Sequence, residues 1–109
     1  MTWFKVDDKL FGHPKARAAG NRAMGLWTMS GAWASAYLTD GFVPVEFVRD
    51  HRNGEQDAAR LVDVGLWHPV DGGWQFHDWS QTNPTRAQVE ARREAERKKK
   101  QRQRNEGED

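Results

Sequence analysis

The alternation of apolar and polar residues in the second half of the chain predicts a short helix followed by a β-hairpin. Apolar residues recur at helical spacing over 58–64, and Gly65 stands where a left-handed C-cap would end the helix. The segments 66–67 and 74–76 then flank a turn at 71–73 whose residues tolerate positive φ. A helix followed by a hairpin is the second half of a winged helix-turn-helix.

The first half of the chain supplies the other elements of that fold. Pro14 suits a first helical position, Gly20 ends the turn, and Asn21 is a good N-cap for the helix that follows. In chain order, the pattern predicts a strand at 3–6, a helical turn at 14–19, a central helix at 22–38, a strand at 42–43, and helices at 45–50 and 55–64. The strand at 42–43 is expected to complete a three-stranded sheet with the hairpin. The predicted fold is therefore mainly α with a small β wing (α+β), a winged helix-turn-helix.

The composition changes after residue 80. Thr85 and Gln88 fit the capping box that opens a helix. Beyond them strong helix formers dominate and few residues are apolar, which predicts a solvated helix fraying towards Gln103, with a disordered acidic end. The expected organisation is a winged helix-turn-helix domain at 1–80, a linker at 81–85 and a basic helical arm at 86–109.

The length and composition of the chain limit the kinds of protein that it can be. A chain of 109 residues has room for one small domain and a tail. Its six Trp and five Phe favour a bulky core over a base-stacking platform. There is no Cys for disulfides or thiolate metal sites, no apolar run long enough to cross a bilayer, and no signal-peptide core at the N-terminus. We therefore expect no membrane association and a location in the cytoplasm of a bacterial host.

The net charge of +1 hides an asymmetry between the two parts of the chain. Residues 1–85 carry eight Lys/Arg and ten Asp/Glu, whereas residues 86–104 carry nine Lys/Arg and three Glu, a net charge of +6. Such a segment attracts nucleic-acid phosphates, RNA or acidic protein surfaces; the alternative is a solubilising, disordered tail. The arm residues expected to contact DNA are Arg92, Arg93, Arg97, Lys98, Lys99, Lys100, Arg102 and Arg104.

The helix at 55–64 is the expected recognition helix. Arg and Gln make bidentate contacts to guanine and adenine edges. Glu55, Asp57 and Asp63 lie on the same helix and would repel phosphates, so a solvated face of a protein-binding domain is the open alternative. The residues expected to read DNA are Arg52, Asn53, Gln56 and Arg60.

No catalytic or metal-binding constellation is present in the sequence. His68 and His77 are expected to lie opposite one another across the hairpin, but two histidines fall short of a metal site. A pairing of His77 with Asp78 is disfavoured, because adjacent strand residues point to opposite faces. No phosphate-binding glycine motif occurs. We therefore expect no enzyme activity, no cofactor and no metal, and a small nuclease is the least favoured class.

Seven motifs between residues 3 and 90 carry a resemblance to known proteins: WFKVDD at 3–8, HPK at 13–15, GLW at 25–27, LTDGFVP at 38–44, ARLVDVGLW at 59–67, FHDW at 76–79 and PTRAQVE at 84–90. In these motifs the chain is similar to small helix-turn-helix proteins encoded by phages of actinobacteria. It resembles, more remotely, the winged-helix N-terminal domains of phage replisome organisers and DnaD-type replication initiators. The resemblance implies DNA binding at a replication origin or operator, without residue-level contacts.

Two functions from different classes follow. The first is a DNA-binding winged helix-turn-helix protein of a phage or prophage, acting in replication initiation or transcription regulation on DNA expected to be double-stranded. The alternative is an interaction adaptor that docks on a replication or host protein. The sequence leaves the oligomeric state open, including a homodimer, because the apolar stripe of the arm is too thin for a confident coiled coil.

Overall fold

The computed structural model describes residues 2–107, which form a mainly helical α+β fold with one small antiparallel sheet. A short 3-10 turn at Leu10–Gly12 precedes the first helix. The helices and strands are α1 (Pro14–Tyr37), β1 (Phe42–Pro44), α2 (Val45–Arg49), α3 (Gly54–Asp63), β2 (Trp67–Val70), β3 (Gly73–Phe76), α4 (Trp79–Thr82) and α5 (Arg86–Gly107).

Helix α1 begins and breaks where the sequence predicts. Pro14 occupies its first turn, and the His13 imidazole accepts a hydrogen bond from the backbone N–H of Lys15. Gly20 interrupts the helix with a φ of 83° and a ψ of 165°, so the predicted turn and central helix are two segments joined at a kink. The second segment ends at Leu38, which adopts the left-handed conformation.

The sheet has the strand order β1-β3-β2, with β3 antiparallel to both neighbours. The predicted three-stranded arrangement is therefore confirmed, although the hairpin strands are longer and the turn shorter than expected. β2 contains Pro69, which is tolerated because β2 lies at the edge. A Cβ on Gly73 would lie 2.0 Å from the Val43 carbonyl oxygen, so only glycine allows β1 and β3 to approach here.

The predicted strand at 3–6 is wrong: these residues are irregular. Phe4 instead inserts its ring against α1, where a Cβ on Gly31 would meet it at 2.3 Å. The backbone N–H of Lys5 donates to the Asn83 side chain rather than to a sheet edge. The Phe4 ring thus packs against the core, and the Asn83 side chain accepts the backbone hydrogen bond. These contacts take the place of the strand pairing that the β-forming residues predicted.

The core lies between α1, α3 and the sheet. Trp67 is fully buried in β2, and Phe76 packs against it with ring centroids 5.5 Å apart. The expectation that tryptophans build the core is confirmed for Trp67 and Trp79, whereas Trp3 is 72% exposed. The other buried apolar residues of the cluster are Ala19, Ala23, Leu26, Ala34, Val43, Val48, Ala58 and Leu61.

The predicted linker is structured. Its first residues belong to α4, and Asn83 is only 5% exposed because its side chain accepts from the backbone of the N-terminal segment. The predicted capping box that opens α5 is confirmed: the backbone N–H of Gln88 donates to the Thr85 hydroxyl, and that of Thr85 donates to the Gln88 side chain.

The expectation of a helix solvated along its whole length is wrong, because Val89 is only 1% exposed. The helical conformation extends through Gln103 to Gly107, in keeping with its strong helix formers. Glu106 therefore belongs to the helix, and the rest of the predicted disordered end, Glu108 and Asp109, lies outside the described residues.

Candidate nucleic-acid interface

A tight turn joins α2 to α3. The His51 backbone N–H donates to the Val48 carbonyl, and the Gly54 N–H donates to the His51 carbonyl. Asn53 takes the left-handed conformation at φ 57°. A Cβ on Gly54 would lie 1.8 Å from the Val48 carbonyl oxygen, so glycine is required there. This geometry leaves Arg52 and Asn53 exposed at the corner of the two helices.

Asp57 does not face outwards. Its Oδ1 lies 2.7 Å from Nε of Arg22 on α1, and the residue is 4% exposed. One of the carboxylates that the sequence placed on the recognition surface is therefore directed at α1. Sequence reasoning missed Arg22, because a pair separated by 35 positions leaves no local pattern.

Two of the four predicted reading residues take part in the packing of α3. Arg60 donates from Nη2 to the carbonyl oxygen of Ala18 at 2.7 Å. The Gln56 side chain accepts a longer hydrogen bond, 3.4 Å, from Nη2 of Arg22. Both side chains remain exposed, but each is held at the α1–α3 contact. Arg52 and Asn53, by contrast, make no side-chain hydrogen bond within residues 2–107.

The exposed charges of α2, α3 and the turn between them sum to −1. Arg49 pairs with Glu55 at 2.8 Å, and this hydrogen bond to the carboxylate raises the pKa of the Arg49 guanidinium. The other exposed charges are two cations, Arg52 and Arg60, and three carboxylates, Glu46, Asp50 and Asp63. This surface therefore has no net attraction for phosphate.

The first turn of α5 is fixed to the domain at two points. The backbone N–H of Arg86 donates to Oδ1 of Asp40 at 2.6 Å. Val89 is buried and lies with Ala34, Leu38 and Trp79 around a small cavity. The root of the arm is therefore part of the core, and the direction in which the helix leaves the domain is set there.

Beyond that root the helix is exposed on all sides. Residues 90–107 are all exposed and extend over about 27 Å at 1.5 Å per residue. Arg86 pairs with Glu90 at 2.9 Å, and Arg97 pairs with Glu94. The other arm cations form no ion pair within the described part of the chain; these are Arg92, Arg93, Lys98, Lys99, Lys100, Arg102 and Arg104.

Three polar side chains contact one another in series at the end of the β2–β3 hairpin. Nε2 of His68 lies 2.8 Å from Nδ1 of His77, so the two rings do meet across the hairpin. Nε2 of His77 lies 3.0 Å from Oδ2 of Asp78, which corrects the expectation that these neighbours point apart. The reason is that Asp78 follows the strand and takes φ 54°, so strand alternation does not apply. Within residues 2–107, no group of three His, Asp or Glu side chains is placed to hold a metal ion.

Comparisons with protein-family models, with curated proteins and with solved structures find no match for this chain. No described helix has the length and apolar character needed to cross a membrane. The candidate site thus consists of two surfaces that contain the predicted residues. One is the corner of α2 and α3, and the other is the exposed length of α5.

Proposed function

We propose that this chain is a DNA-binding winged helix-turn-helix protein of a phage or prophage, acting in replication initiation or transcription regulation in the cytoplasm of a bacterial host. The observation that carries the proposal is the exposed row of unpaired cations on a helix rooted in a domain with a helix-turn-helix corner. In this proposal the protein is not an enzyme and uses no cofactor.

The order of elements supports a winged helix. Helix α1 is followed by β1, the helix pair α2 and α3, and the hairpin β2–β3, and β1 pairs with β3 beside the hairpin. The turn between α2 and α3 spans residues 50–53 and closes on Gly54, which fits the short, glycine-containing turn of helix-turn-helix units. α3 would then be the recognition helix, with Arg52 and Asn53 at its start.

In this proposal the basic arm supplies the electrostatic attraction to DNA that α3 lacks. Each Lys or Arg that neutralises a phosphate releases counterions, and DNA carries a phosphate every ~3.4 Å along each strand. The exposed part of α5 is about 27 Å long and carries seven cations that form no ion pair among residues 2–107, so it spans several phosphates. The exposed charges of α2, α3 and the turn between them sum to −1, so this surface contributes orientation rather than attraction.

The proposal is tested with a labelled DNA duplex and the full chain in a salt series. Lys98→Gln/Lys100→Gln removes two arm cations, and Lys9→Gln/Arg17→Gln removes the same charge from exposed positions of the domain. We expect only the arm variant to bind more weakly and to lower the slope of log K against log salt, by up to ~0.9 for each phosphate that the arm no longer neutralises. Absence of duplex binding by the wild type at low salt, or equal weakening in both variants, would overturn the proposal.

A second function, an adaptor that docks on a replication or host protein, is favoured by a partly exposed apolar stretch on α1. Met29 and Tyr37 on α1 are 57% and 67% exposed. Trp33 lies between them, with ring centroids 5.1 Å from Tyr37 and 5.3 Å from Phe47 of α2. Exposed apolar surface of this kind marks protein interfaces. Met29→Ser/Tyr37→Ser would then abolish capture of a purified replication protein and leave duplex binding intact; unchanged capture would exclude this surface.

A further inference from the structure

An aromatic and basic cleft lies where the N-terminal segment passes the root of the arm. Its most exposed member is Trp3, with 72% of the residue accessible, although Trp67 and Trp79 are buried. An exposed indole does not contribute the stabilisation that a buried one gives, so the exposure of Trp3 is not explained by folding. The cleft is lined by Trp3, Lys5, Pro84, Arg92, Arg93 and Glu96.

The chain is anchored on both sides of Trp3. Before it, the Thr2 hydroxyl donates to the Ser35 carbonyl at 3.0 Å. After it, the Lys5 backbone N–H donates to the buried side chain of Asn83 at 2.9 Å. The segment that carries Trp3 is therefore anchored beside the arm, and a ligand that stacks on the indole would not have to order this segment first.

The walls of the cleft carry an excess of positive charge. Lys5 contributes one ammonium from the N-terminal segment, and Arg92 and Arg93 contribute two guanidinium groups from the first exposed turns of α5. Glu96 is the one carboxylate in the lining. Neither arginine forms an ion pair with another described residue, so both are available to an anion.

We propose that this cleft binds single-stranded nucleic acid, with one base stacked on the Trp3 indole and its flanking phosphates on Lys5, Arg92 and Arg93. Stacking needs an unpaired base with a free π-face, which a duplex does not offer, and the cations supply the backbone contacts. The site thus differs from the duplex-binding surface proposed above, although both use α5. A protein with both sites would hold a duplex and an adjacent unwound strand.

The test measures, by fluorescence anisotropy, the binding of the full chain to labelled oligothymidine and oligouridine. Trp3→Ala is expected to weaken binding of the single strands about five- to hundredfold, whereas Trp3→Phe retains most of it. Phe11→Ala is the matched control, because Phe11 is 86% exposed but lies outside the cleft. Equal affinities of Trp3→Ala, Phe11→Ala and the wild type would overturn the proposal.

The contribution of the positive charge of the cleft to single-strand binding is tested separately. Arg92→Gln/Arg93→Gln should weaken single-strand binding more than Lys99→Gln/Arg102→Gln, which removes equal charge further along the helix. Inorganic polyphosphate, measured as a competitor, should lose affinity in the first double variant and keep it in Trp3→Ala. Loss of polyphosphate binding in Trp3→Ala would mean that Trp3 acts only through structure, and would overturn the stacking role. Trp3-dependent binding of single strands without duplex binding would support the cleft and refute the proposed duplex function.

Discussion

Asp57→Ala and Asp63→Ala remove the same charge from the same helix, yet the structure predicts a loss of stability only for the first. The Asp57 carboxylate is 6% exposed and accepts from Arg22, whose side chain is 62% exposed. The Asp63 side chain is exposed at the other end of α3 and makes no hydrogen bond within residues 2–107. Only the first change breaks a contact between α1 and α3.

The magnitude for Asp57 follows from two contributions. A hydrogen bond with a charged partner contributes roughly 1.5–3 kcal/mol, and we reduce this because the guanidinium is largely solvated. A carboxylate in the first turn of a helix adds roughly 0.3–1 kcal/mol through the macrodipole. Allowing for the better helix propensity of alanine, we expect a decrease of about 1–2 kcal/mol in the free energy of unfolding and a melting temperature lower by roughly 5–15 °C. Asp63→Ala should change stability by less than about 0.5 kcal/mol.

Thermal and urea unfolding of the two variants, followed by circular dichroism, measures both effects. Duplex binding adds a second readout. Asp63→Ala should bind duplex DNA with the wild-type affinity or slightly more tightly, because it removes a negative charge that repels phosphate. Folded Asp57→Ala should bind duplex as the wild type does. Equal destabilisation by the two substitutions, or stronger DNA binding in Asp57→Ala, would refute the assignment of Asp57 to the interior.

Three further predictions concern the corner and the arm. Gly54→Ala should cost about 1–3 kcal/mol or more, because its Cβ meets the Val48 carbonyl oxygen at 1.8 Å; unfolding at the wild-type temperature would contradict this. Val89→Ala should cost about 1.5–2.5 kcal/mol and reduce amide protection at the start of α5, since it empties a buried site; wild-type stability would show that the root of the arm is not packed. Thr85→Ala should lower helix content and stability by about 1 kcal/mol through loss of its hydrogen bond to the Gln88 backbone; unchanged exchange at Gln88 would argue against the cap.

Local chemistry explains why much of the fold was predictable. Helix ends at Gly65 and Leu38, and the hairpin turn at Gly72, depend on neighbouring residues that a sequence displays directly. The strand predicted at 3–6 failed because the site of Phe4 is made by Gly31 on α1, far along the chain. β-forming residues were present, but the segment hydrogen-bonds to Ser35 and Asn83 instead of pairing with either free edge of the sheet.

The candidate site was less predictable, because its geometry depends on pairs distant in sequence. The negative charge of Asp57 was visible, but its neutralisation by Arg22 was not. His77 and Asp78 were expected to point apart because the strand was taken to include both, whereas it ends at Phe76. Charge along the arm was readable throughout, since a run of cations on an exposed helix needs no tertiary partner.

The salt dependence of duplex binding by the full chain tests the central claim most directly. α5 presents seven cations free of ion pairs among residues 2–107, and one side of a helix meets a duplex at a time. We therefore expect about three to five phosphate contacts and a slope of log K against log salt of roughly −3 to −5. A slope near zero, or no measurable binding at low salt, would contradict the account.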